Sequence, residues 1–310
     1  MERVVIALGG NALLRRGEED TAENLRAAAR RAAECVADVA VDWEVVVTHG
    51  NGPQVGRILL QQEAAARTVH PMPLDVCGAQ SQGQIGYVLQ SAIGDVLYER
   101  SLERPVVSLL TMTRVRRDDP AFGAPTKPVG PYYEEAEAQA IAAERGWTMR
   151  PDARGGFRRV VPSPRPFSIV EAPIIASLVG AGVVVIAAGG GGIPVVEDGP
   201  RLAGVEGVVD KDLAAAILAR DVAAPELLIL TDVERVVTGF GTDAARPLER
   251  LRVAEARALL AAGEFGEGSM APKVEAACSF LEHGGRRAAI ASLEGALGAL
   301  RGEAGTTFLP

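Results

Sequence analysis

The sequence is poor in cysteine and has no long apolar run, and each shortage excludes a class of protein. Its three cysteines, Cys35, Cys77 and Cys278, lie far apart, with no Cys-x-x-Cys pair and no histidine at metal-ligand spacing. They predict buried free thiols in a reducing cytoplasm rather than a disulfide scaffold or a zinc site. No stretch of 18 or more uncharged apolar residues occurs, so we expect no membrane span. The start, MERVVIALGG, does not resemble a signal peptide.

Aromatic residues make up only 4 % of the 310 residues, whereas hydrophobic residues reach 48 % and charged residues 23 %. Heavy use of Ala, Val and Leu is typical of a globular protein in which helices pack on a buried sheet. The net charge is −8 and no basic block occurs, so we expect no nucleic-acid partner.

Lysine is the rarest charged residue. Of 32 basic residues, 29 are Arg and three are Lys: Lys127, Lys211 and Lys273. Either these three remain by chance, or each occupies a position that needs a compact ammonium on a flexible stem rather than a planar guanidinium.

Short apolar runs alternate with amphipathic stretches, which predicts a largely parallel sheet with helices on both faces. The predicted strands are residues 4–8, 45–48, 106–110, 183–187, 227–230 and 288–291. The predicted helices are residues 21–41, 53–67, 80–100, 169–180, 211–220, 253–262 and 271–283. Ligands of such sheets bind at the carboxyl ends of the strands, where the glycine-rich turns fall here.

Residues 112–166 interrupt the alternation with a polar stretch that contains eight prolines. Within it, residues 147–150 and 158–161 are predicted to pair as a hairpin. We interpret this segment as an inserted subdomain that acts as a lid, and residues 1–111 and 167–310 as the core. The alternative is a long surface excursion without function, which is unusual in a compact domain.

Three glycine turns follow predicted strands, at residues 9–11, 50–52 and 189–192. Such a turn before a helix directs backbone N–H groups at one point and favours an anion, and Pro53 suits the first helical position. Tight turns need glycine in any case, so one turn would be weak evidence. Three together favour a phosphate site. His49 precedes the second turn, and we expect a structural role for it.

The lysines stand in distinctive settings. Lys211 begins a predicted helix between Asp210 and Asp212, Lys273 lies in the first turn of another, and Lys127 lies between prolines in the predicted lid. A carboxylate beside Lys211 can hold that cation toward a phosphate, whereas the alternative is an ordinary helix capped by Asp210. Glycine turns and convergent lysines together predict phosphoryl transfer, which requires positioning and positive charge.

The chain resembles the carbamate kinases of the amino acid kinase superfamily almost from end to end. The resemblance rests on motifs in family order, among them ALGGNALL, THGNGPQVG, DVCGAQSQGQIGY, TKPVGPYY, AAGGGGIPV, GVVDKDLAAAILA and GSMAPKVEAA. It implies a three-layer α/β/α sandwich around a mostly parallel eight-stranded sheet, with a protruding lid subdomain, and a homodimer. It also implies reversible transfer between ATP and carbamate to give ADP and carbamoyl phosphate. Mg²⁺ would accompany the nucleotide, without a metal site of the protein's own.

The resemblance further implies roles for individual residues. The N-terminal half would bind carbamate and the transferred phosphoryl group, through Gly9, Gly10, Asn11, Gly50, Asn51 and Gly52. The catalytic residues would be Lys211 and Lys273 on the phosphates, Asp212 orienting them, and Lys127 from the closing lid. Gly190 and Gly191 would add a phosphate-binding turn. The C-terminal half would border the nucleotide, through Thr231, Asp232, Phe240, Ser269 and Met270.

One departure and two alternatives remain. Ala271 stands where the family usually has glycine, and we expect the methyl group to be tolerated. The first alternative is another small-acid kinase of the superfamily, such as one acting on an N-acylated amino acid, against which the lid motif argues. The second is a non-catalytic regulator that binds nucleotide or carbamoyl phosphate. Such proteins commonly lose charged site residues first, and these are retained here.

Overall fold

A computed structural model describes residues 1–10, 18–19, 21–152, 155–241, 245–266 and 270–310. Strands and helices alternate in the parts of these ranges that build the parallel strands of the main sheet, and further strands occur between them. The strands are β1 Glu2–Leu8, β2 Trp43–His49, β3 Val106–Ser108, β4 Met112–Val115, β5 Lys127–Tyr133, β6 Met149–Pro151, β7 Phe157–Val161, β8 Pro166–Ile169, β9 Val184–Ile186, β10 Ile193–Asp198, β11 Arg201–Gly204, β12 Glu226–Thr231, β13 Val237–Thr238, β14 Arg246–Pro247, β15 Arg250–Arg252, β16 Arg287–Ser292 and β17 Thr306–Leu309. The helices are α1 Ala22–Ala40, α2 Gly52–Ala65, α3 Leu74–Glu99, α4 Glu135–Arg145, α5 Ala172–Gly180, α6 Lys211–Asp221, α7 Val253–Ala261, α8 Met270–Glu282 and α9 Ala296–Arg301.

The main sheet has eight strands in the order β15-β17-β16-β12-β1-β2-β9-β3. The six strands from β16 to β3 run parallel to one another. Strand β17 is antiparallel to β16, and β15 is parallel to β17. Crossovers through helices join the parallel strands, as the alternation of apolar runs and amphipathic stretches predicts.

Side-chain alternation divides the core between the two faces of this sheet. In β1, Val4, Ile6 and Leu8 pack against α1, α3 and α9, whereas Val5 and Ala7 pack against α5, α6, α7 and α8. Successive residues of a strand point to opposite faces, and continuously apolar strands are therefore buried on both. The predicted three-layer α/β/α sandwich with a mostly parallel eight-stranded sheet is confirmed.

Two smaller sheets lie in and beside the segment predicted to be a lid. A four-stranded sheet, β11-β10-β4-β8, pairs β4 with β10 of the predicted core. A three-stranded sheet, β5-β7-β6, contains the predicted hairpin, in which Met149 is opposite Arg159 in antiparallel register. The division of the chain into core and lid stays a prediction.

The three-stranded sheet packs on the core through a separate apolar cluster. Val129 and Val161 of this sheet contact buried residues of α2 and α3, namely Val55, Ile58, Leu59, Leu74 and Cys77. Tyr133 donates a 2.7 Å hydrogen bond to Glu63 of α2, and burial followed by this bond raises the pKa of Tyr133. Apolar and polar contacts thus both fix β5 against α2.

Some predicted boundaries are wrong for local reasons. Helix α3 begins at Leu74 rather than at residue 80, because Pro73 provides the break that the glycines of the motif do not. Residue 169, where the predicted helix begins, is instead the last residue of β8, so α5 begins only at Ala172. Helices α4 and α9 and strands β15 and β17 were not predicted, because each is short or weakly periodic.

The thiols are buried as predicted. Burial raises the pKa of Cys35 to about 12 and that of Cys278 to about 11, and Cys77 is also buried. Across the described ranges, no helix is both long enough and apolar enough to cross a membrane.

The unpredicted edge strand β17 supplies a testable stability contribution. Phe308 in β17 is fully buried against the α5–α8 face of the sheet. Phe308→Ala should lower the free energy of unfolding by about 3–5 kcal/mol, because it removes buried apolar surface and leaves a cavity. Urea denaturation measures the change. Phe240→Ala is the matched control, because Phe240 is 79 % exposed; equal effects of both substitutions would contradict the assignment of β17 to the core.

Candidate active site

The carboxyl ends of β1, β2 and β12 meet at one edge of the sheet. Leu8 is in register with His49 of β2 and with Leu230 of β12. A Cβ atom built on Gly9 would lie 2.6 Å from the Leu230 carbonyl oxygen, so only glycine allows this approach. One built on Gly50 would lie 3.5 Å from the Gly10 Cα. The first two glycine turns are therefore adjacent, as the sequence predicts.

The amino end of α6 brings two of the three lysines to a single buried carboxylate. Asp212 is 3 % exposed and accepts from the Lys211 ammonium at 2.5 Å and from the Lys273 ammonium at 3.2 Å, one on each oxygen. Burial alone would raise the pKa of Asp212, but the two ammonium charges and their hydrogen bonds outweigh it and hold that pKa below its usual range. Asp212 is therefore ionised, and it holds Lys211 and Lys273 side by side.

The third lysine reaches the same helix end from the three-stranded sheet. Lys127, the first residue of β5, donates a 3.1 Å hydrogen bond to Oδ2 of Asp210. Oδ1 of Asp210 accepts from the backbone N–H groups of Asp212 and Leu213, so Asp210 also caps α6. We call Lys127, Lys211, Lys273, Asp210 and Asp212 the lysine cluster. A Cβ on Gly50 would lie 3.6 Å from the Lys211 side chain, which places the cluster beside the glycine turns.

The third glycine turn packs directly on the second. Gly190 has φ +66°, and a Cβ atom there would overlap the side-chain amide of Asn51. The Asn51 amide donates to the Ser81 hydroxyl at 2.8 Å, and Ser81 donates to the Gly78 carbonyl at 2.6 Å. Gly191 has φ +94°, and a Cβ atom there would overlap the carbonyl of Val209. Val209 directly precedes Asp210 of the lysine cluster. Three turns and the lysine cluster thus form one continuous site.

Sequence reasoning assigned no role to the residues that support this third turn. The Gln82 amide pairs with both backbone groups of Thr111, at 2.9 and 3.1 Å. The Thr111 hydroxyl accepts from Ala188 N–H at 3.0 Å, and Thr48 donates to the Ala188 carbonyl at 2.9 Å. Gln82 and Ser81 both belong to the motif DVCGAQSQGQIGY, which lies in α3. The polar residues of this motif are the sequence signal that could have pointed to the support of the third turn.

The residues predicted to border the nucleotide differ in how close they lie to the glycine turns and the lysine cluster. Thr231 ends β12 next to Gly9 and donates to Asp232 at 3.1 Å. Met270 begins α8, which carries Lys273, and packs against the core together with Ala271. Phe240 follows β13 and is largely exposed, and no contact described in the structure joins it to the lysine cluster. Asn11 and Ser269 lie outside the described residues.

His49 is buried at the end of β2, and its protonation is constrained. Its Nδ1 lies 2.9 Å from the Gly50 carbonyl, which only accepts, so Nδ1 carries the proton. Burial, and secondarily the charge of Lys211, lowers the pKa of His49 to about 4. The neutral ring packs beneath Gly189, where a Cβ would overlap it. This placement agrees with a structural role, which stays a prediction.

The glycine turns and clustered lysines lie at the strand ends of an α/β/α sandwich. Together they define an anion-binding site of the phosphotransferase type. The chain belongs to the amino acid kinase family, whose sequence model matches residues 2–292. Carbamate kinase of Thermococcus kodakarensis is 49 % identical over 99 % of this chain and 98 % of its own length, and that of Clostridium perfringens is 46 % identical over 99 % of both. The structure of Giardia lamblia carbamate kinase bound to AMP-PNP superposes with a TM-score of 0.94, at 43 % identity over 99 % of this chain and 98 % of that one.

The buried His49 predicts a pH-dependent stability. Its folded-state pKa lies below the unfolded value, so only the unfolded chain takes up a proton as the pH falls below about 6.5. Between pH 8 and pH 5 this residue should reduce the free energy of unfolding by roughly 2 kcal/mol. Urea denaturation of His49→Gln should show a correspondingly weaker loss. The exposed His70→Gln should retain the wild-type dependence; identical pH profiles for all three proteins would refute the burial argument.

The shared carboxylate predicts that arginine cannot replace either lysine. A planar guanidinium is too large to share Asp212 with a second cation in the space that an ammonium occupies. Lys211→Arg and Lys273→Arg should each lower the rate of phosphoryl transfer about 100-fold, the loss typical of one misplaced charge-stabilising donor. Steady-state turnover measures this. The exposed Arg117→Lys exchanges the same two residue types away from the site and should be neutral; near-normal turnover of both cluster variants would contradict the prediction.

Proposed function

We propose that this protein is a carbamate kinase, which transfers a phosphoryl group reversibly between ATP and carbamate to give ADP and carbamoyl phosphate. The observation that carries the proposal is the convergence of Lys127, Lys211 and Lys273 on two carboxylates at the start of α6, beside three glycine turns. The carbamate kinase relatives, similar over nearly their whole length, and the AMP-PNP complex of the Giardia protein support the choice of substrates.

The residues of the lysine cluster supply charge and position rather than covalent chemistry. Lys211 and Lys273 neutralise the oxygens of the transferred phosphoryl group while a carbamate oxygen forms the new P–O bond and ADP departs. Asp212 is not a general base in this scheme, because each of its oxygens is bound to an ammonium. Removing one cation from such a site costs on the order of 3 kcal/mol of transition-state stabilisation.

The glycine turns hold the two reactants in this scheme. Gly50, Asn51 and Gly52 bind carbamate, Gly9, Gly10 and Asn11 face the transferred group, and Gly190 and Gly191 complete the phosphate-binding wall. Thr231, Asp232, Phe240, Ser269 and Met270 border the nucleotide in this scheme. Lys127 enters with the three-stranded sheet, which serves as the lid. Assembly as a homodimer and location in the cytoplasm remain part of the same proposal.

Mg²⁺ fits this site as a companion of the nucleotide. Asp210 and Asp212 already bind lysines and the helix backbone, so they do not form a cage of oxygen ligands. Mg²⁺ commonly keeps water and phosphate ligands, and a nucleotide brings the phosphates. When bound, it would neutralise charge on the phosphate oxygens. The lysines align and stabilise the same oxygens from the protein side.

The prediction that tests this function is ATP synthesis. Purified protein given ADP, carbamoyl phosphate and Mg²⁺ should form ATP, because the reaction is reversible, and luciferase luminescence measures the product. Lys211→Ala is the matched control for contaminating activity and should form at least about 100-fold less. Acetyl phosphate and N-acetylglutamyl phosphate should be poor donors. A folded protein that forms no ATP, or prefers an N-acylated donor, would overturn the proposal in favour of another kinase or a regulator.

A further inference from the structure

Residues 206–210, which lead into α6, contact the three-stranded sheet and the chain leaving it. We call them the docking segment. Glu206 forms an ion pair with Arg159 of β7. Val208 donates a 2.9 Å backbone hydrogen bond to the carbonyl of Pro162, just after β7. Asp210 accepts from Lys127 of β5. Glu206, Val208 and Asp210 of the docking segment therefore each contact the three-stranded sheet or the residue that follows it.

The docking segment is also fixed from the core side. Glu206 accepts the backbone N–H of Leu74, the first residue of α3, at 3.0 Å. Val208 packs on the apolar cluster that joins the three-stranded sheet to α2 and α3. Gly191, in the third glycine turn, lies against the Val209 carbonyl. The docking segment therefore lies between the three-stranded sheet and the core, directly before the helix that carries Lys211 and Asp212.

Asp210 ends the docking segment and uses its two carboxylate oxygens for different purposes. Oδ1 caps α6 through the N–H groups of Asp212 and Leu213, and Oδ2 binds the Lys127 ammonium. A lysine side chain has high rotamer entropy, and Lys127 is 40 % exposed, so without a partner its ammonium would sample many positions. Lys211 and Lys273 lie at the same helix end and repel it. Asp210 offsets both effects.

We propose that Asp210 is a positioning residue that holds the Lys127 ammonium at the phosphoryl-transfer site when the three-stranded sheet is docked. This inference rests on the proposed function. An ammonium has three N–H donors, so Lys127 can keep its bond to Asp210 and give another to a phosphate oxygen. Asp210 thus presents the cation to the substrate in a defined position, and it couples docking of the sheet to the helix that carries the other site residues.

The separate use of the two oxygens allows the cap and the positioning role to be distinguished. Asparagine is as good a helix cap as aspartate, so Asp210→Asn keeps an acceptor for the helix N–H groups. Its other atom becomes an NH₂ group, which cannot accept from Lys127. Asp210→Ser also keeps the cap but is too short to reach the lysine. Asp198→Asn is the matched control, because the Asp198 carboxylate is exposed and forms an ion pair with the exposed Arg117.

A double-mutant cycle measures the coupling. We expect Asp210→Asn and Asp210→Ser to lower kcat/KM for carbamoyl phosphate about tenfold, within the range for side chains in contact. In the Lys127→Ala background the same changes should cost less than about twofold, because the partner is already absent. Unfolding midpoints should match those of wild type. Full activity of both Asp210 variants, or losses that multiply with that of Lys127→Ala, would overturn the inference.

Hydrogen exchange supplies a readout that does not depend on activity. Backbone amides of β5 should exchange faster in Asp210→Asn than in wild type and Asp198→Asn, because the contact that docks the first residue of the strand is lost. Unchanged exchange in β5 would contradict the docking role. Wild-type protein that forms no ATP would overturn the proposed function alone, since the exchange comparison would still decide whether Asp210 holds Lys127.

Discussion

The buried Asp212 carboxylate is the interaction on which the rest of the site depends. A charge removed from water is costly unless it is paired and hydrogen-bonded, and each oxygen of Asp212 meets this condition with one ammonium. Because Lys211 belongs to α6 and Lys273 to α8, the pairing also fixes two helices relative to each other. Loss of Asp212 would leave both ammonium groups without their shared counter-charge, so packing of this layer and assembly of the site are linked.

Close backbone approach is the second constraint, and it explains the glycines. The parallel sheet ends β1, β2, β9 and β12 at one edge, so the turns that follow them compete for the same space. Gly9 touches the Leu230 carbonyl and Gly190 touches Asn51, and in each case a Cβ atom would overlap its neighbour. Packing at these turns therefore requires glycine independently of any part that the turns have in the proposed phosphate binding.

The sequence predicted this arrangement in part, and particular residues show why. Buried strands such as β1 are continuous apolar runs, so their existence and parallel order could be inferred. The lysines stood out because almost every other basic residue is arginine. The pairing of Lys127 with Asp210 could not be inferred, because it joins residues far apart in the chain and only tertiary packing brings them together. Strand β17 and helix α9 were missed because short segments carry little periodicity.

The two interpretations of the sequence around Lys211, a carboxylate that holds this lysine or an ordinary cap by Asp210, both describe the structure: Asp212 holds Lys211 and Asp210 caps α6. Asp210 in addition binds Lys127 through its other oxygen. The lysine cluster holds three ammonium groups and two carboxylates, and each ammonium is paired with a carboxylate. The carboxylates thereby limit repulsion among the lysines in the empty site. Under the proposed function, a phosphate would add acceptors to ammonium groups that these carboxylates already hold.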